Sequence, residues 1–254
     1  MKPFFETQNG KLYCGDCREF DIVFDEDAEY AILTDPPYSS GGFQEAGKSA
    51  GSIGTRQKTT IALDNLSTRG YQRLMRSMLR KFNLADEVYI FTDWRMWIYT
   101  FDSIEDGGWR VRNMLIWDKK HMGMGLPWRN QHEIIAYGKR TPAKKLENSG
   151  KCGNVLKFNR SGNKNHPTEK PVNLLRHIIG NTSSNTIIDP FIGSGTTAVA
   201  CELMRRKWIG FELNQEFCEI AVRRIKEETK QVEMAWMANK RLHGDPNRAS
   251  QFPT

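Results

Sequence analysis

Residues Asp35-Pro36-Pro37-Tyr38 close a short aliphatic run, Ala31-Ile32-Leu33-Thr34, and gather one carboxylate, one backbone carbonyl and one aromatic ring. Neither proline can donate to a sheet ladder, so the run reads as a buried strand that must stop there. So stiff an exit holds Asp35, the Pro36 carbonyl and Tyr38 in fixed mutual geometry, able to grip a planar group bearing an NH2. In isolation the same residues also describe an ordinary strand exit with a capping Asp and a packed Tyr. A second carboxylate, Asp189, ends Thr186-Ile187-Ile188 and opens Pro190-Phe191-Ile192-Gly193-Ser194-Gly195-Thr196. Glycines at the start of a helix let backbone N–H groups approach a nucleotide-like ligand. Glu212 ends the next apolar run about twenty residues past those glycines, the spacing at which a carboxylate binds ribose hydroxyls. Asp16, after Lys11-Leu12-Tyr13-Cys14, stands at another strand exit and suits either a turn cap or a ligand contact.

The elements that must position these residues alternate in type. Apolar residues at Tyr71, Leu74, Met75, Met78, Leu79 and Phe82 predict a helix with one buried stripe. Glu87–Thr92, Arg110–Trp117 and His132–Tyr137 read as strands, and Trp94–Ile104 as a helix. Pro171 suits the first turn of a helix carrying Leu174, Leu175, Ile178 and Ile179, and Asn214 can cap a final helix. This order predicts a single α/β domain over residues 1–254, with a mostly parallel sheet that closes on an antiparallel pair. Residues 39–60 have no periodicity and read as a mobile loop leaving Tyr38; residues 237–254 read as a tail.

A chain of 254 residues with 39% hydrophobic residues can bury one substantial core. The net charge of +7 points to an acidic partner, nucleic acid first and an anionic membrane surface second. Residues 138–165 hold eight basic side chains against Glu147 alone, which equals the excess of the whole chain. Lys139, Arg140, Lys144 and Lys145 lie in this segment and suit phosphate contact; Trp128 and Arg129 precede it as polar and aromatic candidates, a Trp packed under a loop being the alternative. No apolar run has membrane-spanning length and the first residues lack a signal-peptide pattern, so a cytoplasmic protein with no membrane partner is expected. Five scattered cysteines argue for reduced thiols, and Cys14-Gly15-Asp16-Cys17 lacks the second pair that a zinc site needs, so no metal is expected.

The glycine turn also fits a loose dinucleotide fingerprint. A dehydrogenase, however, would leave the Asp35 exit and the basic segment without a purpose. Asp-Pro-Pro-Tyr at 35–38, His-Pro-Thr-Glu-Lys-Pro at 166–171 and Asp-Pro-Phe-Ile-Gly-Ser-Gly-Thr-Thr at 189–197, in that order, resemble the β-class amino-methylating DNA methyltransferases. The resemblance implies a circularly permuted Rossmann-like fold with a seven-stranded sheet and helices on both faces, and S-adenosylmethionine as methyl donor. It implies that Asp189, Phe191, Gly193, Ser194, Gly195 and Thr196 line the donor loop, that Glu212 holds the ribose, that Asp16 lies near the adenine of the donor, and that Lys170 approaches its methionine part. Asp35, Pro36, Pro37 and Tyr38 would receive the target base from double-stranded DNA. Asp at the first motif position goes mostly with adenine N6 and Ser mostly with cytosine N4, so N6-methyladenine is the expected product. An N4-cytosine enzyme, an RNA amine methyltransferase and a non-catalytic nucleic-acid binder are the alternatives. The short recognition region implies a short or relaxed target. A prokaryotic or phage restriction-modification setting and a homodimer are compatible with the family.

Overall fold

The computed structural model of the protein describes residues 2–25, 27–37, 66–123, 127–140, 152–161 and 169–243, the stretch 231–243 as helical backbone. In chain order these form β1 (Phe5–Glu6), β2 (Gly10–Cys14), β3 (Tyr30–Thr34), α1 (Thr68–Lys81), β4 (Glu87–Thr92), α2 (Trp97–Asp106) and β5 (Arg110–Asp118). There follow β6 (His132–Lys139), β7 (Val155–Lys157), α3 (Val172–Gly180), β8 (Thr186–Asp189), α4 (Thr196–Leu203), β9 (Lys207–Glu212) and α5 (Gln215–His243). Tyr38 and the expected loop 39–60, Lys144, Lys145, and His166 to Thr168 lie outside the described residues.

The strands make one sheet in the order β1-β2-β9-β8-β3-β4-β6-β5-β7. From β2 to β4 every neighbouring pair is parallel, and β6 runs antiparallel to both β4 and β5. The sheet therefore has nine strands among the described residues rather than seven. The two additions, β1 and β7, are edge strands of two and three residues, too short to carry a period.

Every residue of β3, β4 and β8 is buried, because both faces of these central strands are covered. Their alternate side chains divide between two cores. Ala31, Leu33, Tyr89 and Phe91 pack with residues of α3, α4 and α5, whereas Ile32, Val88 and Ile90 pack with residues of α1 and α2. Helix α1 buries Tyr71, Leu74, Met75, Met78 and Leu79 as its spacing requires, and the Ser67 hydroxyl caps it by accepting from Gly70 N at 3.1 Å. Among the described residues no helix is long and apolar enough to cross a membrane.

From β3 the chain crosses to β4 on one side, and from β8 it crosses to β9 on the other, while β3 and β8 are direct neighbours. The strand order thus reverses between β3 and β8. Ligands of open α/β sheets bind outside the carboxyl ends of strands at such a point, where Asp35 and Asp189 stand.

Candidate active site

Thr34 and Asp189 end adjacent strands, and the Thr34 hydroxyl donates to Asp189 Oδ1 at 2.7 Å. Asp189 Oδ1 also accepts from Phe191 N at 3.1 Å, and its Oδ2 from the Thr197 hydroxyl at 2.6 Å. One buried carboxylate thereby ties the exit of β3, the glycine turn and the start of α4 together. Burial pushes the Asp189 carboxyl up to about 6, against the donors from Thr197, Thr34 and Phe191 that act to lower it. Its folded value lies above its ordinary 3.8, so its stabilising contribution is complete below that pH and is lost as pH rises through about 6. The unfolding midpoint of the protein should therefore fall relative to that of an Asp189→Asn variant between about pH 4 and pH 6, measured by thermal melts across that range. A relative midpoint that rises with pH would contradict the assignment.

The turn after β8 needs its glycines. Gly195 is the α4 N-cap residue with φ +82°, and a Cβ there would come within 2.8 Å of the Ala221 Cβ. Gly193, with φ +53°, faces open space, since a Cβ there would meet nothing within 4 Å. A flat ligand can thus approach the backbone at this point. Glu212 holds the turn from β9: its Oε2 accepts from Gly193 N at 3.0 Å and its Oε1 from Asn214 N at 2.8 Å. A carboxylate offers about four lone-pair sites, so acceptor capacity remains for hydroxyl donors. Burial raises the Glu212 pKa against these backbone donors. Residues Gly193 and Glu212 therefore fit the ribose end of a nucleoside. Gly15 N donates to the Glu212 carbonyl at 2.8 Å, which brings Asp16 to the same edge. Asp16 is held by Arg18, whose backbone N and Nε each donate to Oδ1 at 2.9 Å and lower the carboxyl pKa.

Behind the turn, Arg224 of α5 was not singled out from the sequence. Its guanidinium donates to Thr196 Oγ1 at 2.8 Å, Ser194 Oγ at 3.2 Å and Glu169 Oε1 at 2.6 Å. The hydroxyls of Ser194 and Thr196 are engaged from behind, so a ligand on the open face meets backbone there. A basic residue three positions after Ala221 on the buried stripe of α5 was the available signal.

Pro36 is buried and Asp35 half-buried at the exit of β3. Asp35 Oδ2 pairs with the Lys170 ammonium, which comes from the residue before the α3 N-cap, Pro171. Lys170 Nζ also lies 3.4 Å from Glu133 Oε2 and 5.1 Å from the centre of the Phe91 ring. Burial acts to lower the Lys170 pKa, but the carboxylates of Asp35 and Glu133 outweigh it and hold the value above the ordinary one. Glu133 in turn accepts from Lys119 Nζ at 2.5 Å, and the two ammonium groups overcome burial to lower its pKa. Neither Glu133 nor Lys119 was identifiable from sequence, since each needs a partner distant along the chain.

A protein-family model described as DNA methylase, covering N6 and N4 methyltransferases, matches residues 30–223, from the strand bearing Asp35 into α5. The chain belongs to that DNA methylase family. YubD of Escherichia coli (strain K12), carried by name as a methylase, is 32% identical over 217 residues, covering 83% of this chain and 88% of the relative. Two solved structures show the shared fold. The M1.HpyAVI complex with S-adenosylmethionine aligns with a TM-score of 0.62 at 21% identity, covering 85% of this chain and 98% of that one. The PvuII methyltransferase, described as cytosine-N4-specific, aligns with a TM-score of 0.66 at 18% identity, covering 91% and 95%.

Two residues expected to touch DNA have other partners in this methylase. Lys139 is 5% exposed, and its Nζ donates to the fully buried Glu87 at 2.7 Å. Arg140 lies over the Trp109 ring at 4.3 Å and donates to the carbonyls of Ala85 and Gly107, each at 3.2 Å. Lys139 is thus corrected to a structural cation, because burial and a buried carboxylate take its charge away from phosphates, whereas Arg140 is half-buried and engaged by one ring and two carbonyls. Trp128, by contrast, is 90% exposed, and the neighbouring Arg129 is exposed with its Nε on the Gly123 carbonyl at 2.6 Å. Within the basic segment, Val155–Lys157 forms β7 against β5, leaving Lys157 and Arg160 exposed.

Proposed function

We propose that this methylase transfers a methyl group from S-adenosylmethionine to the N6 amine of an adenine flipped out of double-stranded DNA. The observation that carries the proposal is the adjacency of β3 and β8: the Asp35 exit and the glycine turn share the point where strand order reverses, linked through Thr34 and Asp189. The donor would rest against Gly193, with Glu212 toward its ribose and Asp16 toward its base. It supplies an electrophilic methyl group. Phe191, half-buried beside the turn, would flank that base.

An exocyclic amine is a poor nucleophile because its lone pair is delocalised into the ring. Hydrogen bonds accepted from its two N–H groups, one by Asp35 and one by the Pro36 carbonyl, favour a pyramidal nitrogen with its lone pair available. The remainder of the catalysis is positioning. No strong base is needed before attack, because the acidic proton arises only afterwards. Extracting the base from a duplex costs a few kcal/mol. Stacking on Tyr38, at roughly 1–3 kcal/mol per base, would offset much of that cost.

The Asp at the first motif position favours adenine. Cytosine N4 is the second reading, since the same two acceptors fit its amine and the PvuII enzyme of similar fold is described as cytosine-N4-specific. Trp128 and Arg129 are proposed to contact the duplex, with Lys144 and Lys145 adding phosphate contacts that position without specifying sequence. A short or relaxed target follows. Incubation with labelled donor and unmodified duplex DNA, followed by mass spectrometry of the nucleosides, should show N6-methyladenine. N4-methylcytosine alone would overturn the choice of base, and label entering only RNA would overturn the substrate.

A further inference from the structure

Lys170 stands between two carboxylates, tightly paired with Asp35 and loosely with Glu133. It pairs with Asp35 Oδ2, whereas the buried Glu133 Oε2 has only a long ion-pair contact of 3.4 Å with the same ammonium and no well-aligned hydrogen bond among the described residues. The other Glu133 oxygen is fixed by Lys119, whose ammonium lies 5.1 Å from the centre of the Trp117 ring. Trp117 and Glu133 are cross-strand partners on β5 and β6, so the carboxylate is anchored to the sheet and does not follow Lys170. A buried acceptor left with only a long, poorly aligned contact is costly. Here it lies within one small swing of a flexible four-carbon side chain.

We infer that Glu133 is a positioning residue that receives the Lys170 ammonium when the substrate amine takes its place on Asp35. The inference rests on the reading of Asp35 as the acceptor of the target N–H. An Asp35 oxygen shared with a full positive charge is a weaker acceptor for an amine, and the cation also occupies room beside the reacting nitrogen. Moving Lys170 onto Glu133 removes both obstacles and keeps the buried ammonium paired at every stage. It also turns the long contact at Glu133 Oε2 into a well-aligned hydrogen bond. Lys119 opposes the exchange, because two ammonium groups then share one carboxylate.

That competition gives the two neighbours opposite signs. The isosteric Glu133→Gln removes the receiving charge, leaves Asp35 as the remaining anion for Lys170, and should lower the single-turnover transfer rate at saturating donor and DNA at least tenfold. Donor affinity should stay within threefold. Lys119→Met frees Glu133 for Lys170 and should leave the rate within twofold of the parent or raise it. A merely structural Lys119–Glu133 pair predicts parallel losses in both variants. The measurements are rapid-quench transfer to duplex DNA, donor titration and thermal melts on the full chain. An unchanged rate in Glu133→Gln, or a loss in Lys119→Met comparable with that of Glu133→Gln, would overturn the inference. Should Glu133→Gln fail to fold, the Lys119→Met rate decides alone: retention supports and a tenfold loss overturns. The parent and Asp35→Ala are assayed in parallel. A parent that does not methylate DNA, or an Asp35→Ala that does, defeats the underlying reading; a normal pair with a wild-type Glu133→Gln defeats this inference alone.

Discussion

Replacement of Asp35 by alanine is expected to lower methyl transfer by roughly 10²–10³-fold or more, the scale on which removal of one preorganised transition-state hydrogen-bonding group acts. The effect should fall on the rate of the transfer step, read by single turnover. Donor binding, read by titration calorimetry, should largely persist, because Glu212 and Asp16 hang on other supports, Glu212 on Gly193 and Asn214 and Asp16 on Arg18, and Lys170 keeps Glu133 as a partner. Folding should persist as well. The Lys170 ammonium, which loses its pair with Asp35, still has Glu133 within 3.4 Å, so no buried cation is stranded. Asp35→Asn separates charge from shape, since the amide keeps one oxygen acceptor and should retain more activity than alanine. An Asp35→Ala enzyme retaining more than a tenth of the parent rate would refute the role given to this carboxylate.

The distance between the Asp35 exit and the glycine turn is set by the fold more than by either motif. β3 and β8 are parallel and directly bonded, with Tyr30, Ala31 and Ile32 opposite Thr186, Ile187 and Ile188. Asp189 then locks the two exits with bonds from Thr34, Phe191 and Thr197. Such a link carries the registry of the sheet into the site. A loop-borne pair of motifs would have to acquire the same precision by ordering on binding, at a cost in conformational entropy.

How much of this was legible in the sequence depends on how local each signal is. β4 is legible as the run Glu87-Val88-Tyr89-Ile90-Phe91-Thr92, all of it buried in the structure, and α1 as a stripe that the structure buries. The Asp35 exit and the glycine turn are contiguous motifs, so each can be read without knowing the fold. β7 escaped because three residues in a basic stretch carry no period, and its pairing with β5 is a tertiary fact. Helix α5 continues to His243 although the apolar pattern fades near Met237. The pairing of Lys170 with Asp35 joins residues 135 positions apart, a relation that neither local segment encodes. Lys139 differs from its sequence reading for a physical reason: charge density along the chain is not charge density in space, and a cation at a strand end can face inward when a carboxylate waits there.

Lys139 therefore carries the second large prediction, and it concerns stability. Lys139 is the last residue of β6 and lies opposite Glu87, the first residue of β4, at the sheet edge away from Asp35. Glu87 is fully buried and accepts from Lys139 Nζ at 2.7 Å, from Ser183 Oγ at 3.2 Å, from the Tyr89 hydroxyl at 3.3 Å and from the Thr182 hydroxyl. Lys139→Met leaves that carboxylate with neutral donors alone. Breaking a buried pair in this way costs about 3–5 kcal/mol, a large part of the 5–15 kcal/mol typical of a whole domain. In a domain of this size the thermal midpoint should fall by about 10 °C. The double variant Glu87→Gln/Lys139→Met removes both charges and should recover most of the loss, since the penalty comes from the stranded carboxylate. DNA affinity of the folded Lys139→Met protein should stay within twofold, with the salt dependence of binding unchanged. A loss of stability below about 1 kcal/mol in urea titration, together with a lower salt slope, would return Lys139 to the phosphate-binding surface, because only a cation in contact with phosphate releases counterions on binding.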